Sequence, residues 1–503
     1  MRFVSRSLVI GGTLALAFTT AQAADLPVKA KPVEYVKVCS WYGAGFYYIP
    51  GTDICLKVGG YVRVQAEWNA GSNGLAYGSA PFIAGGRFTR EGPGDLNYTL
   101  RAVMTLDSRQ QTSYGTLRSY LAVGVTNDTG DSTGVTTSSV YANRAFIQLA
   151  GFTVGLATSF FESFTLYNVY SYADVLTSGD TSTFGAQVFA YTAQLGNGVS
   201  ASLSLENPAS RGRAGVLDGT QASMGVNGAT TTDNLKFRSP DIVANLRVDQ
   251  AWGYLAVSAA GHEAAGGYYQ TPNNQNNGHP SDKWGWAASV GGRFNLPGGD
   301  SFGASFVYSK GAARYATKGG SWQMYGQGSV GVGWLSDGIF DGTIATTNIN
   351  SIELTEAWSV NAAYEHVWSP HWRTSVYGGY TEVNYNSAAT EIINRHLPGA
   401  AGTTPCGVPV AGAVWPPVNV PVGGGGNSCS PDYSYFQVGS RTQWNPVLGL
   451  DIGLDVFYTH LNTAYKGVAN NLYPATGARP AVNELDDQNV WSAIVRWQRS
   501  FYP

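Results

Sequence analysis

From about Val58 to the C-terminus the chain alternates apolar and polar residues in runs of about ten, the length of a strand that crosses a bilayer at a tilt. Between Gly60 and Trp68, residues Val62, Val64, Ala66 and Trp68 share one phase, and Tyr61, Arg63, Gln65 and Glu67 the other. A period of two puts successive side chains on opposite faces of a strand. One face is apolar enough for lipid and the other polar enough for water. The pattern predicts strands near 57–68, 97–108, 114–125, 140–150, 152–160, 185–195, 198–205, 237–249, 252–262, 283–296, 300–310, 354–368, 371–385, 432–445, 449–462 and 487–502. That is an even number, sixteen.

The links alternate in length. Short ones include Gly196-Asn-Gly198, Pro297-Gly-Gly-Asp300 and Asn445-Pro446, whose residues supply tight-turn geometry. Long ones fall near 69–96, 126–139, 161–184, 206–236, 263–282, 311–353, 386–431 and 463–486. The fold class expected is therefore all-β: a transmembrane antiparallel β-barrel of sixteen strands with short periplasmic turns and long extracellular loops. The segment Trp322–Trp334 could add a hairpin and make eighteen. Trp68, Trp252, Trp372 and Trp444 fall near strand ends, where aromatic girdles lie. A soluble sandwich would use shorter strands, and a solenoid would show a fixed repeat.

Composition fits this pattern. Only 13% of the 503 residues are charged and 64 are glycine, with a net charge of −3 that gives no reason to expect a nucleic-acid partner. Mean hydropathy is −0.11, which excludes a helical membrane bundle but not a barrel whose strands are half wet. Residues 1–23 read as a cleaved signal peptide: Arg2 and Arg6, an apolar stretch from Leu8 to Phe18, then Ala21-Gln-Ala23. Residues 24–56 then form an N-terminal segment on the periplasmic side, and 57–503 the outer-membrane barrel.

Four cysteines in an exported chain suggest disulfides and allow three pairings. Local closure, Cys39 with Cys55 and Cys406 with Cys429, is expected because each pair brackets a turn-rich segment. Metal binding is the alternative, but no C-x-x-C spacing or nearby histidine supports it. No cofactor is implied. Of the six histidines, none lies beside a G-x-S-x-G or H-E-x-x-H motif, so no enzymatic activity is expected.

A barrel this wide leaves an aqueous channel, so function depends on what narrows and charges it. The third long link, from Phe160-Phe-Glu-Ser-Phe through Tyr170-Ser-Tyr172, is too aromatic for a solvated loop and is expected to fold inward. It carries Glu162, Asp174 and Asp180 and no basic residue. On early strands Arg63, Arg101, Arg118 and Arg144 are inward by phase, each expected at intermediate depth, with Arg441 and Arg496 inward on later strands. Arginine stays charged and is costly on the lipid face. These acids and arginines would frame a pore constriction crossed by a transverse field.

The segment Cys39-Ser-Trp-Tyr-Gly-Ala-Gly-Phe-Tyr-Tyr to Cys55-Leu-Lys-Val-Gly-Gly-Tyr-Val-Arg63 resembles the N-terminal signature of the alphaproteobacterial general porins. The start Ala24-Asp-Leu-Pro and the ending Arg496-Trp-Gln-Arg-Ser-Phe501 are similar too. The resemblance implies a trimeric porin of the bacterial outer membrane, a Cys39–Cys55 disulfide and a third loop folded into the pore. Its acidic constriction loop maps to Glu162, Asp174 and Asp180 by layout only. Two features depart from the family: the chain ends Phe501-Tyr-Pro503, and the link 386–431 is long, Gly/Pro-rich and carries its own cysteines. The expected function is passive diffusion of small hydrophilic solutes and ions. The alternatives are an eighteen-strand, sugar-type channel and an adhesin or structural barrel.

Overall fold

The computed structural model describes residues 37–68, 96–129, 137–181, 184–212, 214–219, 238–269, 278–319, 322–326, 329–342, 351–396, 429–470 and 482–501. Sixteen strands form its wall: β1 (Cys55–Trp68), β2 (Leu96–Thr112), β3 (Gly115–Asp128), β4 (Thr137–Leu149), β5 (Phe152–Ala157), β6 (Ala186–Gly196), β7 (Val199–Glu206), β8 (Asp241–Gln250), β9 (Gly253–Ala264), β10 (Lys283–Asn295), β11 (Ser301–Lys310), β12 (Glu356–Ser369), β13 (Trp372–Asn384), β14 (Tyr433–Trp444), β15 (Leu450–Asn462) and β16 (Gln488–Phe501). Every neighbour pairs antiparallel, and β16 returns to β1 in the register Gly60↔Phe501 through Trp68↔Ala493. That last ladder closes the sheet and leaves no edge. Among the described residues no helix is long and apolar enough to cross a membrane.

All sixteen runs of alternating residues lie on wall strands. Val62, Val64 and Trp68 are exposed outward, while Arg63, Gln65 and Glu67 are buried inward. On β16, Trp491, Val495 and Trp497 face out and Ser492 and Arg496 face in. Aromatic pairs ring both ends. Trp252–Phe294 and Trp372–Trp444 stack at 5.5 and 5.8 Å on the short-turn side. Trp286–Tyr308, Trp358–Tyr380 and Tyr458–Trp491 lie at 5.3, 5.1 and 5.1 Å on the long-loop side. In the Gly196-Asn-Gly198 turn, Asn197 holds φ 50° and Gly198 φ 74°, and a Cβ at Gly198 would fall 2.0 Å from the Asp249 carbonyl oxygen. Only glycine fits there.

The hairpin proposed at Trp322–Trp334 exists, as Trp322–Gly326 with Ser329–Gly333. It does not enter the wall, because β11 pairs directly with β12. Instead it joins Val482–Leu485 and Gly467–Asn470 in a separate four-stranded sheet among the long loops. The eighteen-strand alternative is thereby excluded. These loops pack on the long-loop end of β13–β15 as an apolar cluster that includes Trp322, Trp334, Tyr385, Ile392, Ile393 and Tyr465.

Residues Cys55 to Gly59 pair with β2 and not with β16, whose Phe501 meets Gly60, so β1 and β2 project past β16 at the short-turn end, where Cys55 and Leu56 also pair with Tyr48 and Tyr47. The N-terminal segment covers this projection. Cys39 is disulfide-bonded to Cys55, and Tyr42, Phe46 and Tyr48 pack around the bond. Arg109 of β2 lies 5.6 and 4.9 Å from the Tyr42 and Phe46 rings. Cys429 is also disulfide-bonded; Cys406 and residues 1–23 lie outside the described residues.

Val257 sits mid-strand on β9 between Leu246 and Val290, facing outward. Val257→Arg is expected to destabilise the folded barrel by about 2–4 kcal/mol, the cost of a cation at the bilayer midplane. Guanidinium unfolding in lipid vesicles, followed by tryptophan fluorescence, measures it.

Candidate functional site: a lumen narrowed by an inward loop

The third long link leaves β5 at Ala157 and enters β6 at Ala186. Its aromatic content is used inside the barrel. Phe161, Phe164, Leu166, Tyr170, Tyr172 and Val175 are buried, several against Ala363, Tyr377, Phe457, Val490 and Ile494 of the wall. Polar anchors fix its path. Asp455 accepts from Tyr172 N (2.6 Å), Ser171 Oγ (3.1 Å) and Tyr377 Oη (2.7 Å). Gln437 Oε1 accepts from Leu176 N at 2.6 Å, and Thr177 Oγ1 donates to Asn361 Oδ1 at 2.6 Å. Arg441 and Arg496 donate to the carbonyls of Val169 (2.8 Å) and Tyr172 (3.0 Å).

Wall glycines make the space. A Cβ on Gly303 would lie 2.2 Å from Phe164, one on Gly379 2.0 Å from Thr177 Oγ1, and one on Gly453 2.2 Å from Tyr172 Oη. The loop thus lies in a trough along β10–β16 that small inward residues such as Ala287, Ser289 and Gly303 open, and its tip reaches Arg63 of β1 through Tyr167 and Asn168. Sequence reasoning missed this trough, although the inward phase of β10 and β11 (Ala287, Ser289, Gly291; Ser301, Gly303, Ser305) already signals it.

The predicted arginines fall on β1–β4 but not all together. Arg63 and Arg101 are direct partners across β1 and β2. Arg63 donates to Gln498 Oε1 (2.8 Å), Tyr167 Oη (3.3 Å) and Asn168 Oδ1 (3.2 Å). Arg101 donates to Thr126 Oγ1 (3.3 Å) and lies 5.6 Å from the Tyr141 ring. Arg496 joins them, donating to Gln65 Oε1 (2.5 Å) and Asn168 Oδ1 (2.8 Å). Arg144 stands at the root of the loop, on Thr158 Oγ1 (3.2 Å). Arg118 sits apart. It is three residues from the Gly115 turn and shares Asp107 with Arg109, at 2.9 and 2.8 Å. Its depth differs from expectation because the β2–β3 hairpin projects at the short-turn end.

The three acids of the loop also differ from the expected arrangement. Glu162 accepts from Thr181, through the backbone N–H (2.7 Å) and the hydroxyl. Burial, reinforced by the nearby negative charge of Asp180, raises its pKa. Asp174 and Asp180 both bind Lys318 from the sixth long link, Asp174 at 2.5 Å. Asp180 also accepts from Thr165 (2.9 Å) and Ser178 (2.7 Å). Burial alone would raise the Asp180 pKa, but Lys318 outweighs it and holds the carboxylate below its ordinary value. Lys318 is raised in turn, because the two carboxylates outweigh its burial. No pattern in Gly311-Ala-Ala-Arg-Tyr-Ala-Thr-Lys318 announced this contact; a lysine in a small, apolar loop segment is the one signal available.

The family described as "Porin subfamily" matches residues 25–494. Porin Omp2b of Brucella canis is 32% identical over 336 residues, 64% of this chain and 79% of that protein. Porin Omp2b of Brucella melitensis biotype 1 gives the same figures, 32%, 64% and 79%. The outer membrane channel DcaP of Acinetobacter baumannii superposes with a TM-score of 0.56 at 14% identity, over 90% of this chain and 99% of that one, a likeness of fold.

Filling the trough tests its role. Gly303→Val drives a side chain into Phe164 and is expected to cost about 1–3 kcal/mol by overpacking. It should also push the loop toward the open wall. Single-channel conductance lower than that of the unsubstituted protein is the expected reading.

Proposed function

This chain belongs to the porin subfamily, and on that premise we propose how its lumen admits solutes. The protein is an outer-membrane channel: a closed barrel, apolar outside and polar within, through which small hydrophilic solutes diffuse passively. The narrow zone in our reading is the gap between the inward loop and the β1–β4 wall. Arg63, Arg101 and Arg144 border it from the wall, and Tyr167 and Asn168 from the loop. Glu162, Asp174 and Asp180 set the charge of the loop, and Arg118 acts at the short-turn mouth.

The observation that carries this reading is the one-sided seating of the loop. Most of its anchors come from β10 to β16, with Arg63 of β1 meeting its tip at Tyr167 and Asn168, so in our reading the free cross-section lies against β2–β4, beside Arg101. Solutes pass there while still hydrated. Apolar ones gain nothing from a polar lining, and charged ones feel guanidiniums that stay protonated at any working pH. We further propose that three copies assemble in the membrane, as the family resemblance implies, and native mass spectrometry of the detergent-extracted protein decides it.

Purified protein in a planar bilayer should conduct in discrete steps; a silent bilayer would reject the channel. A unit charge about 7 Å from an ion path in water is worth about 0.6 kcal/mol, a factor of about three in local ion concentration. Removing the charge lowers local anions and raises local cations by about that factor each, so Arg101→Gln is expected to move the anion-to-cation permeability ratio about sevenfold toward cations. The zero-current potential in a KCl gradient reads it.

A further inference from the structure

Charges at the narrow zone are matched unevenly. Arg63, Arg101 and Arg496 donate to Gln498, Tyr167, Asn168, Thr126, Gln65 and the Tyr172 carbonyl, all of them neutral. The nearby Glu67 carboxylate spends its hydrogen bonds on Gln65 (2.6 Å) and Asn97 (3.0 Å). Tyr167 records the resulting potential. Burial would raise its pKa, but Arg63, Arg496 and Arg101 outweigh burial and lower it, with Asp174 opposing them weakly. Across the gap, Lys318 occupies both Asp174 and Asp180.

We propose that Lys318 sets the sign of this channel: by holding Asp174 and Asp180 it cancels half of their negative charge, leaves Arg63, Arg101 and Arg496 as the dominant charge, and makes small anions bearing carboxylate or phosphate groups the preferred solutes. This rests on the reading that the gap beside β1 and β2 is the constriction. Arg101 is the accessible member of the three; Arg63 and Arg496 are buried behind it and contribute field. A guanidinium fork matches the two oxygens of a carboxylate or phosphate, so selection for such groups follows from its geometry as well as its charge.

Lys318 is separable from the fold of the loop. The backbone N–H of Lys318 donates to the carbonyls of Leu176 (3.1 Å) and Ser178 (3.0 Å), and Thr317 Oγ1 donates to Leu176 O at 2.8 Å. These anchors survive a change of side chain at 318. Lys318→Gln therefore removes the charge while the loop remains held.

The test compares zero-current potentials of the full-length protein in planar bilayers under a KCl gradient, for four forms: unsubstituted, K318Q, D174N/D180N, and K318Q/D174N/D180N. The unsubstituted channel should prefer chloride. K318Q should shift the permeability ratio toward cations about sevenfold, by the same Coulomb argument. D174N/D180N should strengthen anion preference, and the triple variant should lose the shift seen in K318Q. Inorganic phosphate added at millimolar concentration should reduce chloride current in the unsubstituted protein and less so in R101Q. Cation preference in the unsubstituted channel would overturn the proposal, as would a K318Q ratio equal to that of the unsubstituted channel. A purely structural lysine would alter conductance or noise in K318Q and in the triple variant alike, with no change of sign. Absence of current in every form would instead remove the channel reading beneath it.

Discussion

The pairing of β16 with β1 is the constraint on which the rest depends. Inside hydrocarbon every backbone N–H and C=O must find a partner within the protein, and each one left open costs several kcal/mol. A sheet satisfies this only by closing. Closure with sixteen strands, from Gly60↔Phe501 to Trp68↔Ala493, then dictates a cylinder too wide for wall side chains to fill. The alternation of Val62 and Val64 with Arg63 and Gln65 follows, since each wall residue must suit either lipid or water.

Width creates the second problem, and the inward loop answers it. A loop suspended in water would give up the burial of Phe161, Phe164, Leu166 and Tyr170, each worth about 1.5–3 kcal/mol. The wall instead offers small residues where the loop lies, so its rings enter pockets that a methyl group would close at Gly303 and Gly453. Large, partly exposed inward residues also line β2–β4, among them Arg101, Tyr120 and Phe146. Glycines at these contact points, beside larger partners such as Tyr377 and Phe457, set where the loop can pack.

The wall was legible in the sequence because each strand carries its own period-two signal and each link its own length. The loop's inward fold was legible from local composition, since Phe160 to Tyr172 is too aromatic for solvent. What could not be read were pairings between distant segments. Lys318 meets Asp174 and Asp180 only because two long links fold into the same lumen, and no local pattern encodes that meeting. The hairpin at Trp322–Gly326 shows the same limit. Its periodicity is real, but its partner is Val482–Leu485 rather than a wall strand, a matter of which edge it meets. Arg118 is inward by phase, but its depth depends on how far β2 and β3 overrun β16, which is set by register.

The sign of a pore follows from how its charges are paired more than from how many it holds. Arg441 meets Glu365 at 2.5 Å and is locally compensated, while Arg118 and Arg109 share the single carboxylate of Asp107 and are half compensated. An ion passing a tight pair feels a dipole, whose influence falls off faster with distance than that of a single charge. Arg63, Arg101 and Arg496 are held by amides, hydroxyls and a carbonyl, which orient a guanidinium without neutralising it. Neutral partners therefore keep these side chains ordered and their charge available, whereas carboxylate partners would give order alone. The same reasoning applies with opposite sign to the loop. Its two aspartates are both held by one lysine, so half of their charge is cancelled at Lys318 before it reaches the gap.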